Sequence, residues 1–229
     1  MPRGRLVSTR HEDKSSVSKL AAMRADYGRA HLRREDLRAD PFAQFDAWLS
    51  DAIHAEIVES NAMSLATVGA DGRPLLRTVL LKGVDTRGFV FFTNLESRKA
   101  RQIAENPNVS LLFLWLPLER QVVVTGVAAK LPVRESLKYF LKRPRDSQLA
   151  AWASQQSSVI SSRQVLEMEW EHLKAKFSSG KVPLPSFWGG YRVRPETIEF
   201  WQGGARRLHD RFQYSRQPDE TWVIEHLAP

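Results

Sequence analysis

The sequence predicts a mainly β, α+β fold in which an antiparallel barrel or sheet carries flanking helices. About seven β-prone runs follow one another in hairpin order, and the first two are joined through Asp71-Gly72, a strong hairpin signal. The helical patterns do not alternate regularly with the strands and are inserted late, which favours antiparallel pairing. Neither the dinucleotide motif G-x-G-x-x-G nor the phosphate loop G-x-x-x-x-G-K-[ST] is present. A parallel nucleotide-binding sheet is therefore disfavoured.

The first element is a polar arm. Residues 1–18 are rich in Arg, Ser, Lys and His and have almost no large apolar residue, which predicts disorder ahead of a single domain at 19–229. A short helix is expected at 19–27. Asp40-Pro41 then supplies a cap and a favourable first residue for a firmer amphipathic helix at 42–58.

Alternating apolar residues and turn signals place the remaining elements. Strands are predicted at residues 62–68, 74–82, 89–93, 109–115, 120–131, 196–202, 212–216 and 221–227. Helices are predicted at 94–106, at 135–142, from about residue 146 onwards and at 162–177, with an irregular connector at 180–190. The helix predicted at 135–142 must end at Arg143-Pro144, because the residue before proline avoids helical geometry.

Composition excludes several kinds of chemistry. The chain has no cysteine, which rules out disulfides, thiol redox chemistry and thiolate metal sites, so any redox chemistry must come from a bound cofactor. Its six histidines are dispersed without H-E-x-x-H spacing, and we expect no metal. The longest apolar run, 109–115, is far shorter than the roughly 20 residues that span a bilayer, and no secretory signal is visible. These features predict a cytoplasmic protein with no membrane association.

The charge of the chain is strongly basic. Lys and Arg number 34 against 26 Asp and Glu, which gives a formal net charge of +8 and a pI near 10.0. Such an excess invites a nucleic-acid hypothesis. The cations are nevertheless interleaved with acids, and no nucleic-acid recognition motif is present. Small phosphorylated ligands explain the excess equally well.

The stretch from Phe200 to Phe212 is the strongest candidate for a functional loop. Between two predicted strands it combines a Gly203-Gly204 turn, Trp201, His209 and three arginines. Arginine offers a planar fork of donors to phosphate or carboxylate and can lie on a ring, while histidine can move a proton near neutral pH. The loop thus suits a flat, anionic ligand; the alternative is an exposed, solvated hairpin turn.

Two further positions have the chemistry of phosphate sites. Ser97, Arg98 and Lys99 fall in the first turn of a predicted helix, where free N–H groups favour an anion, although a surface helix with imperfect capping has the same pattern. Ser147 also begins a helix, and capping that helix is the more common role for one serine.

Several motifs, taken together and in this order, carry a family resemblance. They are Arg77-Thr-Val-Leu-Leu-Lys82, Phe91-Phe-Thr-Asn-Leu95 followed by Ser97-Arg-Lys99, Glu119-Arg-Gln121, Arg143-Pro-Arg-Asp-Ser147, Gln155-Gln-Ser157, Pro183-Leu-Pro-Ser-Phe-Trp-Gly-Gly190, Glu199-Phe-Trp-Gln-Gly-Gly204 and Arg207-Leu-His-Asp-Arg211. Through them the chain resembles the pyridoxine (pyridoxamine) 5′-phosphate oxidases, FMN enzymes of the split-barrel class, collinearly from about Met23 to Pro229.

The resemblance implies an FMN site at the interface of a homodimer, with both chains contributing. The implied FMN ligands are Arg77, Thr78, Val79, Leu80, Leu81, Lys82, Phe92, Thr93, Arg98, Lys99, Gln121, Gln156, Ser157, Trp201 and Arg211. Arg77 and Lys82 would stand roughly 16 Å apart on opposite faces of a regular strand. A twist, a bulge or two different ligands must therefore be involved.

The resemblance also implies a vitamin B6 phosphate as substrate. Its implied ligands are Arg24, Tyr27, Lys82, Tyr139, Arg143, Ser147, Arg207, Leu208 and His209. Arg207 and His209 are the catalytic candidates: Arg207 to orient the pyridine ring and His209 to exchange a proton with the substrate. The implied reaction oxidises pyridoxamine or pyridoxine 5′-phosphate to pyridoxal 5′-phosphate, with dioxygen as acceptor and hydrogen peroxide as product. The chain departs from the family pattern at Ala25, where relatives commonly carry arginine, and at His226.

Two alternatives stay open at this point. The first is another split-barrel flavoprotein such as a flavin reductase, which would share the fold and FMN but would not need Tyr139, Arg143, Ser147, Arg207 and His209 together. The second is a non-catalytic binder of B6 phosphate or nucleic acid, whose affinity for nucleic acid would fall steeply with salt.

Overall fold

The computed structural model describes residues 26–153, 156–158 and 160–229. The predicted arm at 1–18, most of the helix predicted at 19–27, and Arg24 lie outside these residues. The strands are β1 (Ala62–Val68), β2 (Pro74–Leu80), β3 (Gly83–Asp85), β4 (Gly88–Asn94), β5 (Asn108–Trp115), β6 (Arg120–Lys130), β7 (Trp188–Gln202), β8 (Asp210–Arg216) and β9 (Trp222–Leu227). The α-helices are α1 (Pro41–His54), α2 (Arg98–Glu105), α3 (Val133–Phe140), α4 (Arg145–Ala153) and α5 (Arg163–Lys176).

One antiparallel sheet contains all nine of these strands. Seven are ordered β2-β1-β5-β6-β7-β4-β3, and β8 and β9 continue the sheet from β7. The 15-residue strand β7 makes this possible because it has two partners on one side: residues 188–193 pair with β4 and residues 197–202 pair with β8. Its other side pairs with β6, with an irregularity where Gly126 faces Pro195. The predicted antiparallel sheet with flanking helices is confirmed.

The sheet curls until its two ends meet at residues 81–82. The Leu81 backbone N–H donates to the Asn61 carbonyl, 2.8 Å away, beside β1. The next N–H, that of Lys82, donates over 2.8 Å to the Val90 carbonyl on β4. The chain therefore changes partner between two consecutive residues, and β2 and β4 approach each other to close a half-barrel.

The structure corrects several predicted boundaries. The described residues form nine strands rather than about seven, and the strand predicted at 74–82 ends at Leu80, before the short β3. β7 begins at Trp188, inside the region predicted to be an irregular connector, since Gly189 and Gly190 read as breakers. In the sheet, glycine at 190 leaves room for the Phe92 ring, 2.7 Å from where a Cβ would lie. The helices predicted at 42–58 and 94–106 are shorter than expected.

Two apolar clusters hold the fold together. The larger fills the half-barrel, where Phe45 of α1 packs edge-on against Phe89 and Phe113 at 4.9 and 4.8 Å between ring centroids. α1 is positioned by Asp40, whose side chain accepts the Phe42 N–H. The smaller cluster lies among α3, α4 and α5 and includes Phe140 and the buried Trp188 of β7. It fixes the helices to the face of the sheet beside β4.

Two features are absent from the described part of the chain. It contains no helix whose length and apolar character would let it cross a bilayer. In the same residues, no group of three or more His, Asp or Glu side chains is arranged to hold a metal ion.

Candidate functional site

The first group of candidate residues lines a cavity of about 640 Å³ between the β2 edge, β4 and the helices α2–α4. Its lining residues are Arg77, Thr78, Val79, Leu80, Lys82, Phe92, Thr93, Asn94, Arg98, Lys99, Tyr139, Arg143, Ala150, Ala151, Gln156, Ser157 and Trp188. Five of these are cationic, and none of the described lining residues is Asp or Glu. An unbalanced cluster of positive charge in a recess is a site for an anion.

Lys99 is the most deeply buried cation of the cavity, with 8% of its surface exposed. Its Nζ donates to Gln156 Oε1 at 2.8 Å and to Thr93 Oγ1 at 3.1 Å, and Ser97 Oγ lies 3.4 Å away. These partners are all neutral. Burial, with a smaller contribution from Arg77, lowers the pKa of Lys99 to about 8. The protein thus holds an ammonium group in a place where only an anionic ligand would offset its desolvation.

Arg77 reaches the same region from β2. Its Nη1 donates to the Leu65 carbonyl at 3.1 Å and to Thr67 Oγ1 at 2.5 Å. Desolvation, followed by the charge of Arg98, lowers the pKa of Arg77. Arg98 begins α2, and its backbone N–H donates to Ser157 Oγ at 3.3 Å. Ser157 has φ = 74°, a left-handed conformation that costs a non-glycine residue about 1–3 kcal/mol and often marks a functional site.

The other side of the cavity is aromatic. Tyr139 stacks on Phe92 with 4.1 Å between ring centroids and an interplanar angle of 10°, and Phe92 stacks on Trp188 at 5.2 Å. The Arg143 guanidinium lies 4.9 Å from the centre of the Trp188 ring. Its Nη1 is buried and has no hydrogen-bond partner within the described residues. Burial lowers the pKa of Arg143 and raises that of Tyr139.

The end of β2 at Leu80 explains how the side chains of Arg77 and Lys82 can both line the cavity. A regular strand would point these side chains to opposite faces, yet both line the cavity, because the chain leaves β1 and joins β4 at Lys82. Leu81, between them, is buried in the half-barrel core and does not line the cavity.

The second group of candidates surrounds the loop between β7 and β8. Gly204 is required there, since a Cβ at this position would lie 2.1 Å from the Leu208 carbonyl oxygen. Arg206 and Arg207 are both left-handed, at φ = 56° and 63°, and both are exposed. The Gly204 N–H donates to His209 Nδ1 at 3.1 Å. In neutral His209 the ring proton is therefore on Nε2.

Trp201 is the centre of this group. Its ring centroid is 4.6 Å from that of His209 and 5.7 Å from that of Tyr27. On the neighbouring strands it pairs with Gln121 of β6 and Arg211 of β8, so these three predicted ligands form a row across the sheet. Arg211 is already engaged: it forms a two-pronged pair with Glu199 at 2.8 and 3.1 Å and donates to the Ala228 carbonyl. The hydrogen bonds that Arg211 donates to Glu199 raise the pKa of Arg211.

The two groups lie at opposite ends of β7. Gly190, beside Phe92 of the cavity, and Trp201 are separated by 11 residues, or about 36 Å along the strand. No predicted residue of the second group lines the cavity. A single ligand therefore cannot touch both groups of one chain in this arrangement.

Comparison with known proteins places the chain in a family. A family model described as pyridoxamine 5′-phosphate oxidase matches residues 49–177, and one described as a pyridoxine 5′-phosphate oxidase C-terminal dimerisation region matches residues 188–229. The pyridoxine/pyridoxamine 5′-phosphate oxidase of Rippkaea orientalis is 60% identical over 92% of this chain and 99% of its own length. That of Vibrio cholerae is 57% identical over the same shares. The chain belongs to the pyridoxamine 5′-phosphate oxidase family.

Solved structures agree with this assignment. PhzG of Burkholderia lata, in complex with tetrahydrophenazine-1-carboxylic acid, has a TM-score of 0.83 at 30% identity and covers 90% of this chain. A pyridoxamine 5′-phosphate oxidase-related, FMN-binding protein of Nostoc punctiforme has a TM-score of 0.67 at 16% identity and covers 84% of this chain, a similarity of fold. Both structures are covered over their full length.

Of the remaining predicted residues, those that the structure describes lie near these two groups. Ser147 lies half-buried in the first turn of α4, four residues after Arg143, but does not line the cavity. Leu208 is 67% exposed beside His209. Arg24 lies outside the described residues, and Tyr27 is packed on the second group.

Sequence reasoning assigned no role to four residues of the cavity lining: Asn94, Ala150, Ala151 and Trp188. Trp188 belongs to the motif Pro183-Leu-Pro-Ser-Phe-Trp-Gly-Gly190. Its position next to Gly189-Gly190 could have indicated a ring packed against the sheet. Gln102, which accepts from Thr67 at 2.7 Å and from Arg77 at 3.4 Å, was also missed, since a glutamine in a helix gives no sign of a distant partner.

Proposed function

We propose that this protein oxidises pyridoxamine 5′-phosphate and pyridoxine 5′-phosphate to pyridoxal 5′-phosphate, using FMN as cofactor and dioxygen as electron acceptor and releasing hydrogen peroxide. The observation that carries the proposal is the cavity with five cations and no described carboxylate, in a chain 60% identical to proteins of that name. Two phosphorylated ligands in one recess would require such a surplus.

The residues present fit an FMN phosphate at one end of the cavity. Lys99, Arg77 and Arg98 converge there, and Gln156 and Ser157 are tied to them by hydrogen bonds. Thr78, Val79 and Leu80 of the adjoining β2 edge line the same wall, with Phe92 and Thr93 opposite. When bound, FMN supplies the two-electron acceptor that dioxygen regenerates. The protein contributes position and charge.

The phosphate of the substrate is assigned to the other end, where Lys82, Tyr139 and Arg143 meet. Arg143 has a buried Nη1 without a described partner, and its guanidinium is pinned over Trp188, so one prong of the fork is free to receive an oxygen. The Tyr139 hydroxyl, whose pKa is raised by burial, remains a hydrogen-bond donor at neutral pH. Ser147, one turn away on α4, is proposed as a fourth phosphate ligand.

The loop residues are assigned to the pyridine ring. Arg207 is exposed and held in a left-handed turn, which suits a guanidinium that lies on a planar substrate, and Leu208 offers an apolar contact beside it. His209 accepts from Gly204 at Nδ1, so the neutral ring presents Nε2–H to a ligand. We assign to His209 a hydrogen bond from Nε2–H to the substrate oxygen or amine, which positions the group that must lose a proton as the substrate is oxidised.

The separation of the two groups supports a homodimer. Since they lie about 36 Å apart along β7, a ligand in the cavity can meet the Trp201–His209 group only if a second copy supplies it. Gln121, Trp201 and Arg211 would then complete the flavin site of the partner. Residues 188–229, which match the dimerisation region, include this group.

Because PhzG shares this fold and binds a different class of ligand, the substrate class has to be argued from side chains and not from the fold. Its ligand is a tricyclic carboxylic acid, at a TM-score of 0.83. A flavin reductase of this fold would likewise not need Tyr139 and Arg143 beside a second set of cations. The joint presence of these residues with Arg207 and His209 favours a B6 phosphate.

An absorbance spectrum of the purified protein, followed by anaerobic addition of pyridoxamine 5′-phosphate, tests cofactor and substrate together. We expect a yellow protein whose flavin absorbance bleaches on addition and returns with air, with one peroxide for each aldehyde formed. Bleaching by NADH but not by the B6 phosphate would instead identify a reductase. A folded, colourless protein that took up no added FMN would contradict the cofactor assignment.

A further inference from the structure

The segment Asp26–Leu32, here called the strap, crosses the end of the sheet beside the second group of site residues. Only a few contacts hold it. Leu32 is buried in the half-barrel core, with 7% exposed, and its backbone N–H donates to Asp210 Oδ2 at 2.9 Å. At the other end, Tyr27 rests edge-on against Trp201 and His209, at 5.7 and 5.8 Å between ring centroids.

Between these anchors the backbone of the strap is held by one carboxylate, beside two side-chain contacts: Arg29 Nη1 donates to the Pro117 carbonyl at 3.2 Å, and His31 Nδ1 lies 3.5 Å from Asp210 Oδ2. The backbone N–H groups of Gly28 and Arg29 both donate to Glu119 Oε2, each at 3.0 Å. Two N–H groups on one anionic oxygen make a strong, charge-assisted contact. Within the described residues Glu119 forms no ion pair with Lys or Arg, so its charge is directed to the strap.

Glu119 itself is fixed in an unusual conformation. It ends the 3₁₀ turn Leu116–Leu118 with φ = 54° and ψ = 38°, in the left-handed region. Its carbonyl accepts the Gly203 N–H at 2.7 Å. A Cβ on Gly203 would lie 2.8 Å from Tyr27 Cγ and 3.0 Å from Glu119 Cβ, so glycine at this position makes room for both. The end of β7 thus fixes the position of Glu119, and Glu119 in turn fixes the position of the strap.

We propose that Glu119 is a positioning residue of the substrate site, whose carboxylate docks the strap so that Tyr27 covers one side of the Trp201–His209 pair. Glu119 touches neither substrate nor cofactor and acts through Tyr27. The inference rests on the proposed function, in which Tyr27 and His209 contact the substrate. It gives a role to Glu119, which belongs to the motif Glu119-Arg-Gln121 but had no assigned role and does not line the cavity.

The test is a comparison of Glu119→Ala, Glu119→Gln and the wild-type protein. For Glu119→Ala we expect the KM for pyridoxamine 5′-phosphate to rise about tenfold, the factor given by loss of a charge-assisted hydrogen bond, with the FMN content unchanged. Glu119→Gln keeps an oxygen that can accept both N–H groups and should restore most of the affinity. Trypsin cleavage after Arg29 should be faster in Glu119→Ala, which reports release of the strap without reference to activity.

A double-mutant cycle with Tyr27→Ala separates positioning from general stabilisation. If Glu119 acts through Tyr27, Glu119→Ala should add nothing to the KM of Tyr27→Ala, whereas independent effects would multiply. Glu105→Ala is the matched control, because Glu105 also accepts a backbone N–H from a distant segment, that of Ala70 at 2.9 Å, but far from the strap. It should leave KM and the Arg29 cleavage rate as in the wild type.

The outcomes are distinct. Multiplying effects in the cycle, or a Glu119→Ala protein that matches the Glu105→Ala control, would overturn this inference while leaving the function intact. If Glu119→Ala does not fold, Glu119→Gln decides: unchanged KM and unchanged cleavage support docking through the acceptor oxygen, and a full loss of affinity overturns it. A wild-type protein that released no peroxide with either B6 phosphate would overturn the proposed function instead.

Discussion

The cavity and the β7–β8 loop carry the same kinds of residue in opposite physical states. In the cavity, Lys99 is buried and Arg77 half-buried among neutral acceptors, and desolvation lowers the pKa of each. In the loop, Arg206 and Arg207 are exposed and have left-handed backbones. The cavity is formed within one chain, whereas the loop has a defined backbone conformation but leaves its arginines exposed to solvent. Under the proposed function, phosphate binding is therefore built into one chain, and contact with the reacting ring requires a second chain.

This difference predicts where substitutions act: cavity variants should change ligand affinity, and loop variants should change rates. The largest effect is expected for Lys99→Met, which removes the buried ammonium with little change in volume. FMN affinity should fall on the order of 100-fold, because a charge-assisted hydrogen bond to phosphate is lost. The flavin-free variant should unfold at a temperature no lower than the flavin-free wild type, since a desolvated charge has been removed. Fluorescence titration with FMN and thermal unfolding measure the two quantities.

Lys130→Met is the control for Lys99→Met, since Lys130 is exposed at the end of β6. It should leave FMN affinity unchanged. Wild-type affinity in Lys99→Met would show that Lys99 contributes nothing to phosphate binding. A large loss of stability in the flavin-free variant would show that its neutral contacts matter more than its desolvation.

The loop is tested by His209→Asn and His209→Gln. Asparagine can place its oxygen where Nδ1 accepts the Gly204 N–H but has no donor at the Nε2 position, whereas glutamine can place an amide N–H there. We expect the single-turnover rate of flavin reduction to fall about 100-fold in the Asn variant and clearly less in the Gln variant. Stopped-flow absorbance under anaerobic conditions measures both. A weaker affinity with an unchanged rate in His209→Asn would exclude a role for the Nε2–H hydrogen bond in the chemical step.

The pH dependence of FMN affinity is a smaller effect that belongs to the cavity alone. In the free protein Lys99 is protonated below its pKa of about 8 and neutral above it. A bound phosphate, already dianionic above pH 7, favours the protonated form. Affinity should therefore be nearly constant around pH 7 and fall as the pH rises through 8, by about tenfold between pH 7 and pH 9. In Lys99→Met the same titration should be flat, and an equal slope in both proteins would assign the dependence to another group.

The sequence and the structure agree best where local patterns decide. Alternation and turn residues were sufficient for β1, β5 and β6, whose predicted bounds lie within one residue of those observed. They failed where distant packing decides. Gly189-Gly190 predicted a connector, yet these residues are in β7 because the sheet needs space for Phe92. The strand at 74–82 was predicted as continuous because no local signal marks the exchange of partner at Lys82, which depends on β1 and β4 both being close.

The candidate site shows the same division. The resemblance selected residues that the structure gathers into two places, and the hydrogen-bond partners of these residues could not be predicted. Thr67 and Gln102, which hold Arg77, come from a strand and a helix far apart in the chain. The association of Glu119 with the strap joins residues about 90 positions apart. Sequence spacing carries information over a helical turn or a hairpin, and contacts of this range require the assembled sheet.

Tagged heterodimers test whether the cavity and the loop of one site come from different chains. If each site joins the cavity of one chain to the loop of its partner, a dimer of a Lys99→Met chain with a His209→Asn chain has one intact site and should show about half the wild-type activity. A dimer of a wild-type chain with a chain carrying both substitutions then has no intact site and should be inactive. Sites built within single chains give the reverse result in both dimers. Because the two heterodimers contain the same substitutions, differing only in their distribution, a change in stability or expression cannot produce opposite activities.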